Sequence, residues 1–420
     1  MKQNAVVLGG SVAGLLAAAA LAPRYDSIDI IERDVLPEGP EARRGAPQGR
    51  HVHAMLPRGL QAMERLLPGI TDRLVAAGGL RGDVLGHARW YLNGLMLRQS
   101  DLGLTAVTAS RPLIEHTIRA AVRELPNVTI SDGYDIVGLS PKHNVHITSR
   151  HGGGSRVVPG SLVVDATGRG SRMPQWLEAF GCPPPEQEVV PIDVRYSSRI
   201  FEGDLLGDDL VVITARYPGR KRSSVMQCLE GNRVLVTLAG VHGERPPTDL
   251  EGFAEYAGSL AVPDTAKVIA AGTPVGEAVP YHFPAYVRRR YERRELPPGL
   301  LVIGDAACAF NPVYGQGMST AAMSAELLLD DVDPQHFHAA QAQLHEAPWT
   351  LAVGADLALD ATDGSATTEG PAAMVRRLQL AAVEDAELAA AFIRVTSLVD
   401  SPRALAEPWI AERLQQVRGG

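Results

Sequence analysis

Two groups of residues in this 420-residue chain have the types and spacing to do chemistry together. Near the start stands Ala5-Val-Val-Leu-Gly9-Gly10-Ser11-Val12-Ala13-Gly14, and the apolar run Ile28-Asp-Ile-Ile31 ends on Glu32 and Arg33. Gly9 permits a tight turn, and Gly14 lets a helix pack closely on the strand before it. Helix-terminal N–H groups, including those of Val12 and Ala13, then point at a pyrophosphate. Ser11 takes the usual middle-glycine position and puts a hydroxyl near the phosphates. Glu32 can accept from ribose hydroxyls. Far downstream, Leu300 to Ser319 reads LLVIGDAACAFNPVYGQGMS. There Asp305, after Gly304, can accept from a ribityl hydroxyl. Gly315 and Gly317 let backbone approach a flat ring, and the helix that starts near Gly317 and Met318 turns its positive end toward it. One dinucleotide held at both ends satisfies both groups, which makes FAD the expected cofactor.

Elements must position these residues. Ala5–Leu8, Ser27–Ile31, Leu162–Val164 and Leu300–Ile303 read as buried parallel strands, and the alanine-rich run Leu15–Ala22 as a buried helix. Ser110 opens an amphipathic helix with Pro112 in its first turn. Residues 36–54 form a Pro/Gly/Arg-rich loop, and residues 145–158 a hairpin. From about Pro191 to Val241, β-branched runs indicate an antiparallel sheet. The last ninety or so residues read as helices. The expected organisation is therefore discontinuous: 1–75, 100–180 and 297–330 in a cofactor domain, 76–99 and 181–296 in a substrate domain, and 331–420 as a helical C-terminal region.

Bulk composition narrows the partners. A net charge of −8 excludes a general attraction to nucleic acid. Three scattered cysteines (Cys182, Cys228, Cys308) argue against a disulfide framework and against a zinc site, so no metal is expected. No stretch reaches the roughly 20 apolar residues of a membrane span. A reducing cytoplasm is the expected compartment, with a hydrophobic small molecule as substrate and a homodimer left open.

The stretches VVLGGSVAG, RRGAPQGRHVHAML, SRPLIE, LVVDATGRGSRMPQWL and VIGDAACAFNPVYGQGMS resemble, in order and spacing, the FAD-dependent monooxygenases of the aromatic hydroxylase and squalene epoxidase type. Within that group the chain looks most similar to bacterial polyether-type polyene epoxidases. The resemblance spans about residues 4 to 330. It implies an α/β fold: a discontinuous glutathione-reductase-like (Rossmann-type) FAD-binding domain, an inserted antiparallel β-sheet substrate domain, and C-terminal helices. It implies FAD, with NAD(P)H and O2 as co-substrates, and alkene epoxidation through a flavin C4a-hydroperoxide. Aromatic hydroxylation is the alternative.

The same resemblance assigns site residues. Arg111 and Asp165 join Gly9, Ser11, Val12, Ala13, Gly14, Glu32, Arg33, Arg44, Gly304, Asp305, Gly315, Gly317 and Met318 as cofactor-binding candidates. Arg44, Gly45, His53 and Pro312 are the candidates nearest the reaction. His51 is a second histidine of the same loop. Arg172 departs from the family spacing, which leaves its role open. The Arg288–Arg290 and Arg293–Arg294 clusters read as a solvated helix face or a phosphate attractor. Trp90 and Tyr91 read either as pocket lining or as core, and Cys308 as a small packed residue. A halogenase would carry a lysine after the first βαβ unit, and none lies between Lys2 and Lys142. An isoprenoid reductase shares the fold and remains a lesser alternative.

Overall fold

The computed structural model describes residues 3–217, 219–330, 332–360 and 371–416. The four expected buried runs do pair. With Val128–Ser131 at one edge they build a five-stranded parallel sheet in the order Leu300–Val302, Leu162–Asp165, Asn4–Leu8, Ser27–Ile31, Val128–Ser131. Leu8 is opposite both Asp165 and Ile31, and Asp165 is opposite Val302. The carboxyl ends of the strands therefore bring Gly9, Glu32, Asp165 and Gly304-Asp305 to one rim, where open α/β sheets bind ligands.

The sheet is apolar on both faces because both faces are covered. One face packs on the helix Val12–Leu21, which is buried almost all round, and on Arg111–Arg123 and Gln316–Leu327. The other packs on the three-stranded sheet of residues 134–159 and on the helix Met173–Ala179. Truncating a fully buried side chain such as Leu16 to alanine would cost about 2–5 kcal/mol.

The β-branched middle of the chain forms an eight-stranded sheet. Its central strands, Thr273–Arg289, Gln187–Glu202, Arg233–Gly240, Arg222–Leu229 and Val211–Thr214, are antiparallel neighbours. One pair departs from the expected pattern: Ala88–Leu92 joins Val211–Thr214 in parallel, so the sheet is mixed. Alternation divides its faces. Phe201, Val212, Met226 and Val236 pack outward under the helices Leu250–Gly258 and Asp264–Ala271. Val194, Tyr196, Ala239 and Phe283 face inward, against Phe310 and against Trp349, which lies on the long helix Pro334–Asp360.

Several local readings need correction. The Arg288–Arg290 cluster is not on a helix: Arg288 and Arg289 end the strand Thr273–Arg289, and Arg290 follows it. Arg288 is buried, donating to Glu346 at 2.8 Å and lying 5.8 Å from the Trp349 ring centre. Arginine density alone could not reveal that packing. Trp90 packs with the C-terminal helices and donates to the Val84 carbonyl at 3.1 Å. Tyr91 packs with the outward face and bonds Asp264. Both are partly buried and pack against these clusters, which favours the core side of the two readings left open for them. Among the described residues no helix is long and apolar enough to cross a membrane.

Candidate functional site

The first turn is built so that only glycine fits. A Cβ on Gly14 would sit 1.8 Å from the Gly9 carbonyl oxygen, and Gly9 itself holds φ +102°. The helix that follows carries no side-chain cap at Ser11, which leaves its first N–H groups free for an anion. Ser11 instead donates to Glu115 at 2.7 Å and accepts from Arg111 at 2.8 Å.

Glu32 is buried, accepting from Gly10 N at 2.7 Å and Asp34 N at 2.9 Å. Arg43, a residue the sequence reading passed over, reaches the same place. Its guanidinium lies 3.2 Å from Glu32, 3.0 Å from Asp34 and 2.6 Å from Glu115. Arg111 and Arg43 together hold the Glu115 carboxyl down at about 2 against the cost of burial. Arg44 and Gly45 stay exposed; Gly45 N donates to Asp34 at 2.6 Å, and Arg44 lines a concavity of 260 Å³ with Asp34 and Arg43. Arg33 is exposed as well.

The second signature closes the opposite end of the rim. Asp305 is half-buried, and no described donor bonds its side chain. Burial raises its carboxyl above the ordinary range, opposed by the charges of Arg169, Arg111 and Arg289. Gly304 is buried against Ala13 of the first helix. Pro312 is exposed at the head of the turn Pro312–Tyr314. Gly315 then starts the helix Gln316–Leu327, again with no side-chain cap, and Met318 is buried within it. Asp165 is engaged by the protein, accepting from Thr167 N, Thr167 Oγ1 and Ser171 Oγ at 2.9, 2.6 and 2.5 Å. Arg172 is exposed, 5.8 Å over the Trp176 ring.

Two uncapped helix N-termini, a half-buried carboxylate without a protein donor and a buried acid at the second strand end form a donor and acceptor set that suits FAD. The suit extends from its pyrophosphate and ribose to its ribityl chain.

The loop of residues 36–54 runs from this rim to the large sheet. His51 is buried and bonds Ser198 Oγ at 2.8 Å, which in turn lies 2.6 Å from Thr237 Oγ1. Its ring stands edge-on to Tyr196 and Tyr281, at centroid distances of 4.8 and 5.3 Å. Burial, and then Arg50, push its imidazole down to about 4. His53 bonds the His51 carbonyl at 2.9 Å; its packed surroundings, and then Arg111, lower it to about 3. Both rings are neutral at pH 7. A cleft of 250 Å³ leads to His51 and Ser198, walled by apolar Ile200, Leu235 and Val279 and rimmed by Arg50, Arg233 and Glu277. Cys308 is buried, and burial raises its thiol.

No family model matches the chain. Protein Rv3254 of Mycobacterium tuberculosis is 33% identical over 348 residues, covering 77% of this chain and 72% of the relative. The kynurenine 3-monooxygenase of Salinispora tropica is 26% identical over 346 residues, covering 76% and 70%. A solved flavoprotein/dehydrogenase from Cytophaga hutchinsonii superposes with a TM-score of 0.71 at 14% identity, over 99% of this chain and 98% of that one. The chain belongs to the same family as Rv3254, and its fold is that of the FAD-binding monooxygenases. The rim suits FAD, the cofactor that the two sequence signatures call for. The chain's Rossmann-type fold is the one the two signatures imply. The residues that sequence reasoning missed, Arg43 and Glu115, lie within the stretches it quoted or directly beside them. Their mutual placement depends on a loop without periodicity.

Proposed function

We propose that this protein is an FAD-dependent monooxygenase that uses NAD(P)H and O2, and that it is an epoxidase. It adds one oxygen atom to a carbon–carbon double bond of a hydrophobic natural-product intermediate, a polyketide or an isoprenoid. Alkene, O2, NAD(P)H and a proton give epoxide, NAD(P)+ and water. FAD, when bound, supplies the electron transfer and the oxygen activation.

The chain's own residues have the following roles in this reading. Gly9, Ser11, Val12, Ala13 and Gly14 hold the pyrophosphate at the first helix, with Arg111 adding charge through its contact with Ser11. Glu32 takes the ribose. Asp305 takes the ribityl chain, and Gly315, Gly317 and Met318 present backbone to the ring. The inward face of the large sheet and the 250 Å³ cleft exclude water from the substrate and orient it.

The observation that carries epoxidation is the state of His51 and His53. At about 4 and 3, neither is matched to remove a proton from a phenol near pH 7, since an effective base has a pKa near the working pH. Addition of oxygen to an alkene requires no such base. Two observations favour aromatic hydroxylation as a second reading. The hydroxyl chain from His51 through Ser198 to Thr237 could orient a ring hydroxyl, and one relative is a kynurenine 3-monooxygenase.

Turnover of a polyene panel and a phenol panel under isotopically labelled O2, read by mass spectrometry, tests the choice. Labelled epoxide from the polyenes, at one label per NAD(P)H, is expected. Labelled catechol from the phenols, with the polyenes untouched, would move the assignment to hydroxylation.

A further inference from the structure

We propose that Asp356 of the helix Pro334–Asp360 is a positioning residue that sets the loop carrying Gly315 and Gly317 against the flavin ring. The proposal rests on the reading that the ring lies beside that loop.

The carboxylate of Asp356 is 2% exposed and receives four donors from three other parts of the chain. Arg216 Nη2 at 2.6 Å and the Tyr314 hydroxyl at 2.8 Å donate to Oδ1. The Tyr286 hydroxyl at 2.5 Å and Asn311 Nδ2 at 2.9 Å donate to Oδ2. A buried carboxylate is costly unless its charge is paired and its lone pairs are filled, and here both conditions hold. Arg216 is itself only 4% exposed in its side chain, so the pair is shielded from solvent.

The choice of donors gives the cluster its meaning. Asn311 and Tyr314 bracket Pro312 and lead directly into Gly315. Asn311 is held from both sides, because its Oδ1 accepts from Val313 N at 3.1 Å and caps the same turn. Tyr286 belongs to the large sheet, and Arg216 follows the strand Val211–Thr214. On its far side the loop touches the segment that bears His51 and His53, since a Cβ on Gly315 would lie 3.0 Å from that of Ala54. One carboxylate thus joins the C-terminal helix, the substrate sheet and the cofactor loop. Fully satisfied buried networks of this kind rigidify what they touch. Burial, and then the charge of Asp356, raise the hydroxyls of Tyr286 and Tyr314, which stay protonated as donors.

The test compares wild type, Asp356→Asn and Tyr314→Phe as FAD-reconstituted proteins. The readouts are FAD dissociation constant, visible flavin spectrum, melting temperature, and hydrogen peroxide formed per NAD(P)H. Asp356→Asn replaces an acceptor with an amide that faces donors. Tyr314→Phe removes one donor and leaves the charge pair intact. Both variants are expected to shift the flavin spectrum and weaken FAD binding by about ten-fold, with most NAD(P)H consumption ending as peroxide. A misplacement near 1 Å has effects of at least that size.

A fall in melting temperature alone, with spectrum, affinity and peroxide yield unchanged, would overturn the proposal. If Asp356→Asn fails to fold, Tyr314→Phe decides it by the same readouts. Affinity, spectrum and melting temperature need no organic substrate; peroxide per NAD(P)H is read with an alkene present, because without an oxygen acceptor every NAD(P)H ends as peroxide. Wild type that transfers no labelled oxygen to any alkene, while the variants still shift the spectrum, would sink epoxidation and leave Asp356 standing. Wild type that holds no FAD would overturn both.

Discussion

Arg43 Nε donates to Glu115 Oε1 across 2.6 Å, and this bond ties the Pro/Gly-rich loop to the helix that carries Arg111. Both side chains are buried, at 8% and 7% exposure. The same guanidinium reaches Glu32 and Asp34, so one cation gathers three acids at the ribose end of the rim. Removing one partner of such a buried set leaves an unpaired charge. Arg43→Met should therefore cost about 3–5 kcal/mol of unfolding free energy in urea titration. The double variant Arg43→Met/Glu115→Leu should recover part of that loss, and equal losses in single and double variants would contradict the pairing.

The same set gives the protein an acid limit. The Glu115 carboxyl is depressed from 4.5 to about 2, so its stabilising contribution is complete above pH 4.5 and is lost as pH falls toward about 2. The contribution is about 3 kcal/mol. Urea midpoints of wild type and Glu115→Gln should converge on acidification through this window.

Histidines act earlier on the same descent. His51 and His338 are lowered from 6.5 to about 4, and His53 and His345 to about 3. The unfolded chain takes up these protons below pH 6.5, while the folded chain refuses them down to the lowered values. Each histidine thus stabilises fully above pH 6.5, and its contribution falls by about 1.4 kcal/mol per pH unit below it. His338→Gln should flatten the dependence of unfolding free energy between pH 6.5 and 4. An unchanged slope would show that His338 is protonated in the folded state.

Substitution of the loop histidine separates the two chemistries. In the epoxidase reading His51 shapes the cleft without moving a proton, so His51→Asn should lower kcat by less than about ten-fold and leave the pH profile unchanged. Loss of a true general base removes about 100- to 10,000-fold. A loss of that size, with a vanished pH limb, would favour the hydroxylase.

Much of the parallel sheet was legible in the sequence because its strands are buried on both faces and read as unbroken apolar runs. Gly14 carried similar weight, since no other residue clears the Gly9 carbonyl. Gly14→Ala should yield protein without bound flavin, seen in the ratio of visible to ultraviolet absorbance. Arg43 was not legible: in a loop without period, nothing distinguishes it from Arg44 next door, yet one is buried among acids and the other is exposed. Asp356 was hidden for a related reason. A single acid in an Ala- and Leu-rich tail reads as a solvated position, and only the long-range meeting with Arg216, Tyr286 and Asn311 makes it a hub. The parallel pairing of Ala88–Leu92 with Val211–Thr214 is equally non-local.

Rapid mixing of reduced, FAD-reconstituted protein with oxygenated buffer tests the central claim most directly. The account predicts a transient flavin spectrum, distinct from both reduced and oxidised forms, that decays to oxidised flavin and lasts long enough to meet an alkene. Direct return to oxidised flavin with stoichiometric peroxide, even with alkenes or phenols present, would contradict monooxygenase chemistry at this site.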